Sequence, residues 1–158
     1  MSEVEIRLVS ATECLPLRQR VLKPHLNLDQ CRNPGDLRQD TFHLAVGTHR
    51  TPADFQVLGC ASFEMEIAPA IIPLPIRAAK RWARLRGLAV APELRRRGQG
   101  RQLMREGEKH LKGLGVEALW FNAREAAFEF YQSLGYEFCG ETFVIAEIGP
   151  HKVMYKLL

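Results

Sequence analysis

The chain switches between two hydrophobic periods, and the switches outline its elements. Residues 4–8 set Val4, Ile6 and Leu8 between Glu5 and Arg7, the alternation of a half-buried strand. Ser10 and Thr12 stand where a helix cap is expected, and that helix runs through Val21 until Pro24 closes it. Residues 25–40, with the run Asn33-Pro34-Gly35-Asp36, read as irregular or short helical structure joined by a turn. Strand patterns resume at 42–46 and 57–66, connected through 47–54, a polar stretch with Pro52 suited to a hairpin. Along the second of these, Val57, Gly59, Ala61, Phe63 and Met65 share one face. Leu58, Cys60, Ser62, Glu64 and Glu66 share the other, so two carboxylates project from one side.

Pro69, Pro73 and Pro75 argue against a central strand or an unbroken helix over 67–81 and predict a variable loop. Residues 82–90 form the next strand, and Pro92 removes a backbone donor where the chain must leave the sheet. From Gln99 onward Leu103, Met104, Leu111 and Leu114 recur at helical spacing, with Gly113 and Gly115 as stop signals. A short strand at 118–122, a helix at 125–134 closed by Gly135 in the left-handed C′ position, and strands at 136–139 and 152–157 complete the pattern. The order β-α-β-β-β-α-β-α-β-β predicts an α/β protein of the α+β kind: a mixed sheet with helices packed on it, in one domain over residues 1–158.

Composition agrees with that expectation. With 158 residues and 46% apolar content, the chain can bury a core of its own. No apolar run is long enough to span a bilayer and the first ten residues lack the apolar stretch of a signal peptide, which predicts a cytoplasmic protein with no membrane partner. Cys14, Cys31, Cys60 and Cys139 are scattered with no C-x-x-C pair and no His at ligand spacing, the pattern of reduced structural thiols and no metal. Nothing near Cys14 or Cys139 in the sequence would lower a thiol pKa, which makes both poor nucleophile candidates. The net charge of +4 is unevenly placed: residues 77–105 carry ten Lys/Arg against Glu93 alone. Such a stripe attracts an anion, be it a phosphorylated cofactor, a nucleic acid or a lipid headgroup.

Within the stripe, Arg95-Arg96-Arg97-Gly98-Gln99-Gly100 lies between a predicted strand and a predicted helix. The backbone N–H groups of a first helical turn and the positive end of the helix dipole favour a pyrophosphate there. Glycines allow close approach and arginines add charge-assisted bonds. This segment resembles the hallmark Q/R-x-x-G-x-G/A of the GNAT N-acetyltransferase superfamily, with Arg95, Gly98 and Gly100 at its fixed positions. Residues 126–138, AAFEFYQSLGYEF, are similar to the family's second signature, A-x-x-F-Y-x-x-x-G-F/Y. Gly149-Pro150-His151 with Met154, and Leu17-Arg18-Gln19-Arg20-Val21-Leu22, look like the bacterial ElaA-like branch.

The resemblance implies a mostly antiparallel sheet splayed between its fourth and fifth strands and flanked by helices. It implies acetyl-CoA as the acyl-donor co-substrate, its pantetheine arm paired with Leu88, Ala89 and Val90. Arg95, Arg96, Arg97, Gly98, Gln99, Gly100 and Arg101 would take its phosphates, with Asn122, read as a strand end, and Phe128 as further contacts. It assigns the general acid to Tyr131; the alternative is an aromatic packing with Phe128 and Phe130. The family often places a Glu on the fourth strand, where this chain has Arg84 and Arg86, so the base stays open among Glu64, Glu66, His43, His151 and a water wire. The acceptor is expected to be a small-molecule amine in a monomer or homodimer; Glu64 and Glu66 favour a cationic acceptor, Arg84 and Arg86 an acidic one. A catalytically silent CoA-binding sensor and a nucleic-acid-binding module using residues 77–105 are the competing readings, the latter lacking an exposed aromatic series among its arginines.

Overall fold

The computed structural model describes residues 3–78 and 80–158. Its elements run β1 (Glu5–Val9), α1 (Ala11–Val21), β2 (Phe42–Thr51), β3 (Asp54–Met65), α2 (Leu74–Arg77), β4 (Trp82–Val90), α3 (Gln99–Gly113), β5 (Ala118–Arg124), α4 (Phe128–Ser133), β6 (Glu137–Ile145) and β7 (Gly149–Leu157). Apart from α2, a single turn inside the predicted loop, this is the predicted order. The seven strands lie in the order β1-β2-β3-β4-β5-β7-β6. β1·β2, β2·β3, β5·β7 and β6·β7 are antiparallel. β4·β5 is parallel, with a register that runs from Trp82↔Ala118 to Arg84↔Trp120. β4 continues six residues further, so Leu88–Val90 lie outside that parallel register.

The chain divides into two compact units, Met1–Glu64 with Leu85–Lys109, and Met65–Arg84 with His110–Leu158. In the first, α1 starts with a capping box: Ser10 Oγ accepts from the Glu13 N–H and the Glu13 carboxylate accepts from the Ser10 N–H at 2.7 Å. Ser10, not Thr12, is therefore the cap. The buried side of α1 brings Cys14 and Leu17 against Ala45, Cys60, Ala89 and Ala91. Arg18 lies on the same side and is 2% exposed.

That burial is tolerated because both terminal guanidinium nitrogens are matched, although Nε is buried without a hydrogen-bond partner. Arg18 Nη1 and Nη2 donate to the two Asp36 carboxylate oxygens at 2.6 and 3.0 Å, Nη2 also donates to Ser62 Oγ, and Nη1 to the Cys31 carbonyl. The pair ties α1 to the 33–41 segment and to β3, residues far apart in sequence. The turn expected at Asn33-Pro34-Gly35-Asp36 is present, with the Asp36 N–H on the Asn33 carbonyl.

The second unit packs Ala68, Ile72, Trp82, Ala118, Trp120 and Val153 together. α2 begins at Leu74 with Pro75 in its first turn, where a missing N–H costs no hydrogen bond. α4 ends in a Schellman cap, with the Tyr136 N–H on the Tyr131 carbonyl, the Gly135 N–H on that of Gln132, and Gly135 at φ +93°. β6 and β7 extend well beyond the predicted 136–139 and 152–157. Their pairing is broken by an irregularity between Cys139 and Phe143, which disguises one long hairpin as two short strands. Leu114, placed by the periodicity among the buried helix positions, lies past the end of α3 and is 45% exposed.

Candidate functional site

In the first unit, β4 ends at Val90 and the chain passes through Pro92–Leu94 into the basic turn. Arg95, Arg96, Arg97 and Gly98 are exposed, and Arg95 Nε donates to the Val90 carbonyl, which bends the turn back on the strand it leaves. Gly98 has φ +76° and Arg96 φ +62°, so the backbone is left-handed twice within three residues. The position of Gly98 accepts no side chain without strain. The Gln102 N–H donates to the Gly98 carbonyl, the first helical bond of α3, so the N–H groups of Gln99 and Gly100 face out of the helix end. Arginines are thus exposed around a helix N-terminus, an arrangement that attracts anions in general.

β3 and β4 carry a ladder of opposite charges. In the first unit Glu64, 3% exposed, accepts from Arg86 Nε at 2.7 Å and lies 3.5 Å from Arg38 Nη2. In the second, Glu66 pairs with Arg84 at 3.2 Å, and Arg84 stacks over the Trp120 ring at 4.5 Å. The arginines on β4 thus answer the carboxylates on β3. Arg77 donates to the Ile72 carbonyl and Arg81 to that of Leu114, so these two arginines are tied to backbone carbonyls of the fold.

His43 sits beside this ladder, buried, with Nε2 donating to the Asp36 carbonyl at 3.1 Å and Nδ1 accepting from Ser62 Oγ at 2.6 Å. A carbonyl only accepts, so the neutral Nε2–H tautomer is the one that satisfies both contacts. Burial holds its pKa below the ordinary 6.5, and Arg18 works in the same direction against Asp36 and Glu64. The sign follows: the unfolded chain takes up a proton as pH falls through about 6.5 while the fold resists it, so stability declines until the folded value is passed. Urea denaturation should show this loss between pH 7 and 5, at most about 1.4 kcal/mol per pH unit, and His43→Gln should flatten it. Asp36, lowered by the Arg18 hydrogen bonds against the opposing effect of burial, contributes separately below about pH 4.

Cys14 and Cys60 are buried together. The hydrogen bond between them raises the Cys60 thiol, with burial adding to it, and lowers Cys14, which the Arg18 charge also favours. The sequence offered no such influence on Cys14; it arises because α1 lays Arg18 and Cys14 on one side. Both thiols are shut off from solvent.

In the second unit Tyr131 lies on α4 with its ring 4.3 Å from Phe121, 5.1 Å from Phe130 and 6.0 Å from Tyr136. Phe128 packs elsewhere, edge-on to Phe138 with Lys152 over its ring. Burial raises the Tyr131 phenol well above its ordinary 10.0, and the Arg124 charge opposes that. His151 is 4% exposed, stacks on Phe143, and donates from Nδ1 to the Gly149 carbonyl at 2.7 Å. That bond leaves the lone pair on Nε2. Asn122 is an inner residue of β5 paired with Val153, not a strand end, because β5 continues to Arg124.

Arg18, Asp36, Ser62, Arg38 and Arg124 escaped the sequence reading. Arg18 alone carried a signal, sitting four residues after Cys14 on the face of α1 that should have been apolar. A groove of ≈ 410 Å³ between α1 and β3, lined by Glu13, Pro16, Leu17, Arg20, Phe55, Gln56 and Val57, contains none of the expected site residues. Among the described residues no group of three or more His, Cys, Asp or Glu could hold a metal ion, and no helix is long and apolar enough to cross a membrane.

The comparison with known families places this sheet, with the basic turn between β4 and α3, among the transferases. The chain belongs to the Acetyltransferase (GNAT) family, whose model matches residues 18–136, and it is an N-acetyltransferase. It is 35% identical over 155 residues to the uncharacterized N-acetyltransferase YitI of Bacillus subtilis, covering 98% of this chain and 97% of that protein. Its fold is similar to that of Arabidopsis thaliana NAA60 in complex with acetyl-CoA (TM-score 0.73, 13% identity, 99% of each chain). The ElaA protein of Escherichia coli is similar in the same way (TM-score 0.69, 19% identity, 99% of each chain).

Proposed function

We propose that the chain transfers the acetyl group of acetyl-CoA to a primary amine, a small molecule rather than a protein, by direct attack while donor and acceptor are both bound. The observation that supports this most is the turn after β4. Gly98 and Arg96 in left-handed conformations, the open N–H groups of Gln99 and Gly100, and the exposed arginines suit a pyrophosphate. Arg95, Arg96, Arg97, Gly98, Gln99, Gly100 and Arg101 would hold the phosphates, and Leu88, Ala89 and Val90 the pantetheine arm. Asn122 and Phe128 are further contacts on the family pattern. A thermal titration with acetyl-CoA tests the turn: Gly98→Val should weaken binding at least about tenfold, since the strained position alone costs roughly 1–2 kcal/mol and a side chain blocks backbone approach.

In the reaction the amine lone pair forms the new C–N bond to the thioester carbon, the C–S bond breaks, and the leaving sulfur takes a proton from the Tyr131 phenol. His151 Nε2, with its lone pair fixed by the Gly149 contact, is a proton acceptor for the amine. Glu64 is less suited to that step, because protonating it would break a buried pair with Arg86. A small acceptor fits the setting of Glu64, buried behind the Arg38 side chain rather than presented on a broad surface. Four free thiols fit a reducing cytoplasm. A turnover screen of acetyl-CoA against an amine panel decides the reading: acetyl-CoA binding without transfer to any amine would favour a CoA-binding sensor instead.

A further inference from the structure

Residues 77–105 hold a single acid, Glu93, against ten Lys and Arg, and that acid stands two residues ahead of Arg95. Residues two apart have Cα atoms within about 7 Å of each other, so an unpaired carboxylate here would lie inside a Debye length of the basic turn. It would draw on the same arginines that a phosphate needs. The fold answers it from another element. Arg20, in the last turn of α1, donates from Nη1 to Glu93 Oε1 at 3.1 Å and from Nη2 to Oε2 at 2.7 Å, a bidentate pair that engages both oxygens. Those bonds, and after them the residue's own N–H, hold the Glu93 carboxyl below its ordinary 4.5, so it is charged at neutral pH; the Arg95 charge acts in the same direction, which puts the two within electrostatic reach. The backbone on both sides is anchored. Leu94 is buried, the Ala91 N–H donates to the Leu58 carbonyl on β3, and the Leu94 N–H donates to the Ala91 carbonyl. On α1, Leu17 and Arg18 are buried just ahead of Arg20. The direction in which the Glu93 side chain points therefore depends on Arg20.

We propose that Arg20 is a positioning residue for acetyl-CoA: it holds the Glu93 carboxylate against α1 and away from residues 95–100, so that the turn meets the donor phosphates with its positive charge uncancelled. The inference rests on the acetyltransferase reading and adds to it a residue outside the turn that sets donor affinity. Arg20 touches no donor atom in this role and acts only through Glu93. Without it the carboxylate turns to the nearest remaining cations, Arg95 and its neighbours, and competes with the phosphates for them.

The test measures the Kd of acetyl-CoA on the full chain by isothermal titration calorimetry, at about 50 mM and about 500 mM NaCl. Arg20→Ala should bind about two- to fivefold more weakly at the lower salt, the scale of one uncompensated charge within a Debye length, and its gap to the wild type should shrink at the higher. Adding Glu93→Gln to Arg20→Ala should restore wild-type affinity, since no carboxylate is then left to compete. Arg20→Lys, which keeps a cation for Glu93, should stay near the wild type. Melting temperatures without ligand should be nearly the same throughout, because an exposed ion pair adds little to stability. An unchanged Kd in Arg20→Ala overturns the proposal, and so does a loss that persists in the double variant, which would mean that Arg20 contacts the donor itself. Wild-type binding separates the two levels. If acetyl-CoA does not bind the wild type, the acetyltransferase reading itself fails; if it binds and Arg20→Ala leaves the affinity unmoved, only the role of Arg20 falls.

Discussion

Tyr131→Phe is expected to lower kcat by roughly 10²–10⁴-fold, the range of a lost general acid, while the KM for acetyl-CoA stays close to that of the wild type. The substitution removes one oxygen and retains the ring that packs on Phe121, Phe130 and Tyr136. It thereby separates proton donation from packing, the two roles open to this residue. Burial keeps the phenol protonated at neutral pH, the state a donor needs. A thiolate whose conjugate acid titrates near about 8.5 is, however, a weaker base than such a phenolate. The neighbouring Arg124 charge pulls the phenol part of the way back down. Steady-state kinetics on the variant give the answer: a kcat equal to that of the wild type would leave Tyr131 as a packing residue.

Arg18→Ala should destabilise the fold by about 3–5 kcal/mol, because it leaves the buried Asp36 carboxylate without its cation. Few single changes in a chain of this size have a larger effect. Asp36→Ala should cost a similar amount by stranding the guanidinium. Replacing both together by apolar residues of matching volume should recover most of the loss, since neither charge is then left alone. Urea denaturation of the two single variants and the double variant measures the coupling. Additive losses would mean that the pair contributes through packing alone. Freeing Asp36 also unties the 33–41 segment from α1.

Much of this protein is local and therefore legible. Each strand and helix carries its own period: Leu103, Met104 and Leu111 repeat at helical spacing and are buried. Gly135 marks a helix end by a conformation that other residues resist. The turn between β4 and α3 could be read from letters because it is built from contiguous residues, 95–100, with Gly98 in a left-handed conformation. Where a local signal was interrupted, the reading stopped short. Gly140 and the irregular pairing that follows hid the extent of β6, and β7 supplied the missing order by hydrogen bonding. The two extra residues of β5 beyond Asn122 likewise exist through pairing with His151 and Lys152.

Side-chain partnerships followed a different logic. Glu64 and Glu66 could be picked out in the sequence, but whether they stood open or paired depended on Arg86 and Arg84, which a strand about twenty residues later supplies. The network of Arg18, Asp36, Ser62 and His43 draws on four segments, and the tautomer of His43 follows from two contacts that no spacing encodes. The amino-acid sequence by itself determined the order of elements, the glycine turn after β4 and the family, since these depend on hydrophobic period, glycine conformation and contiguous letters. Only the tertiary structure decided which charges are paired and which protons are fixed, because each of those depends on distances between residues that meet only when the strands align.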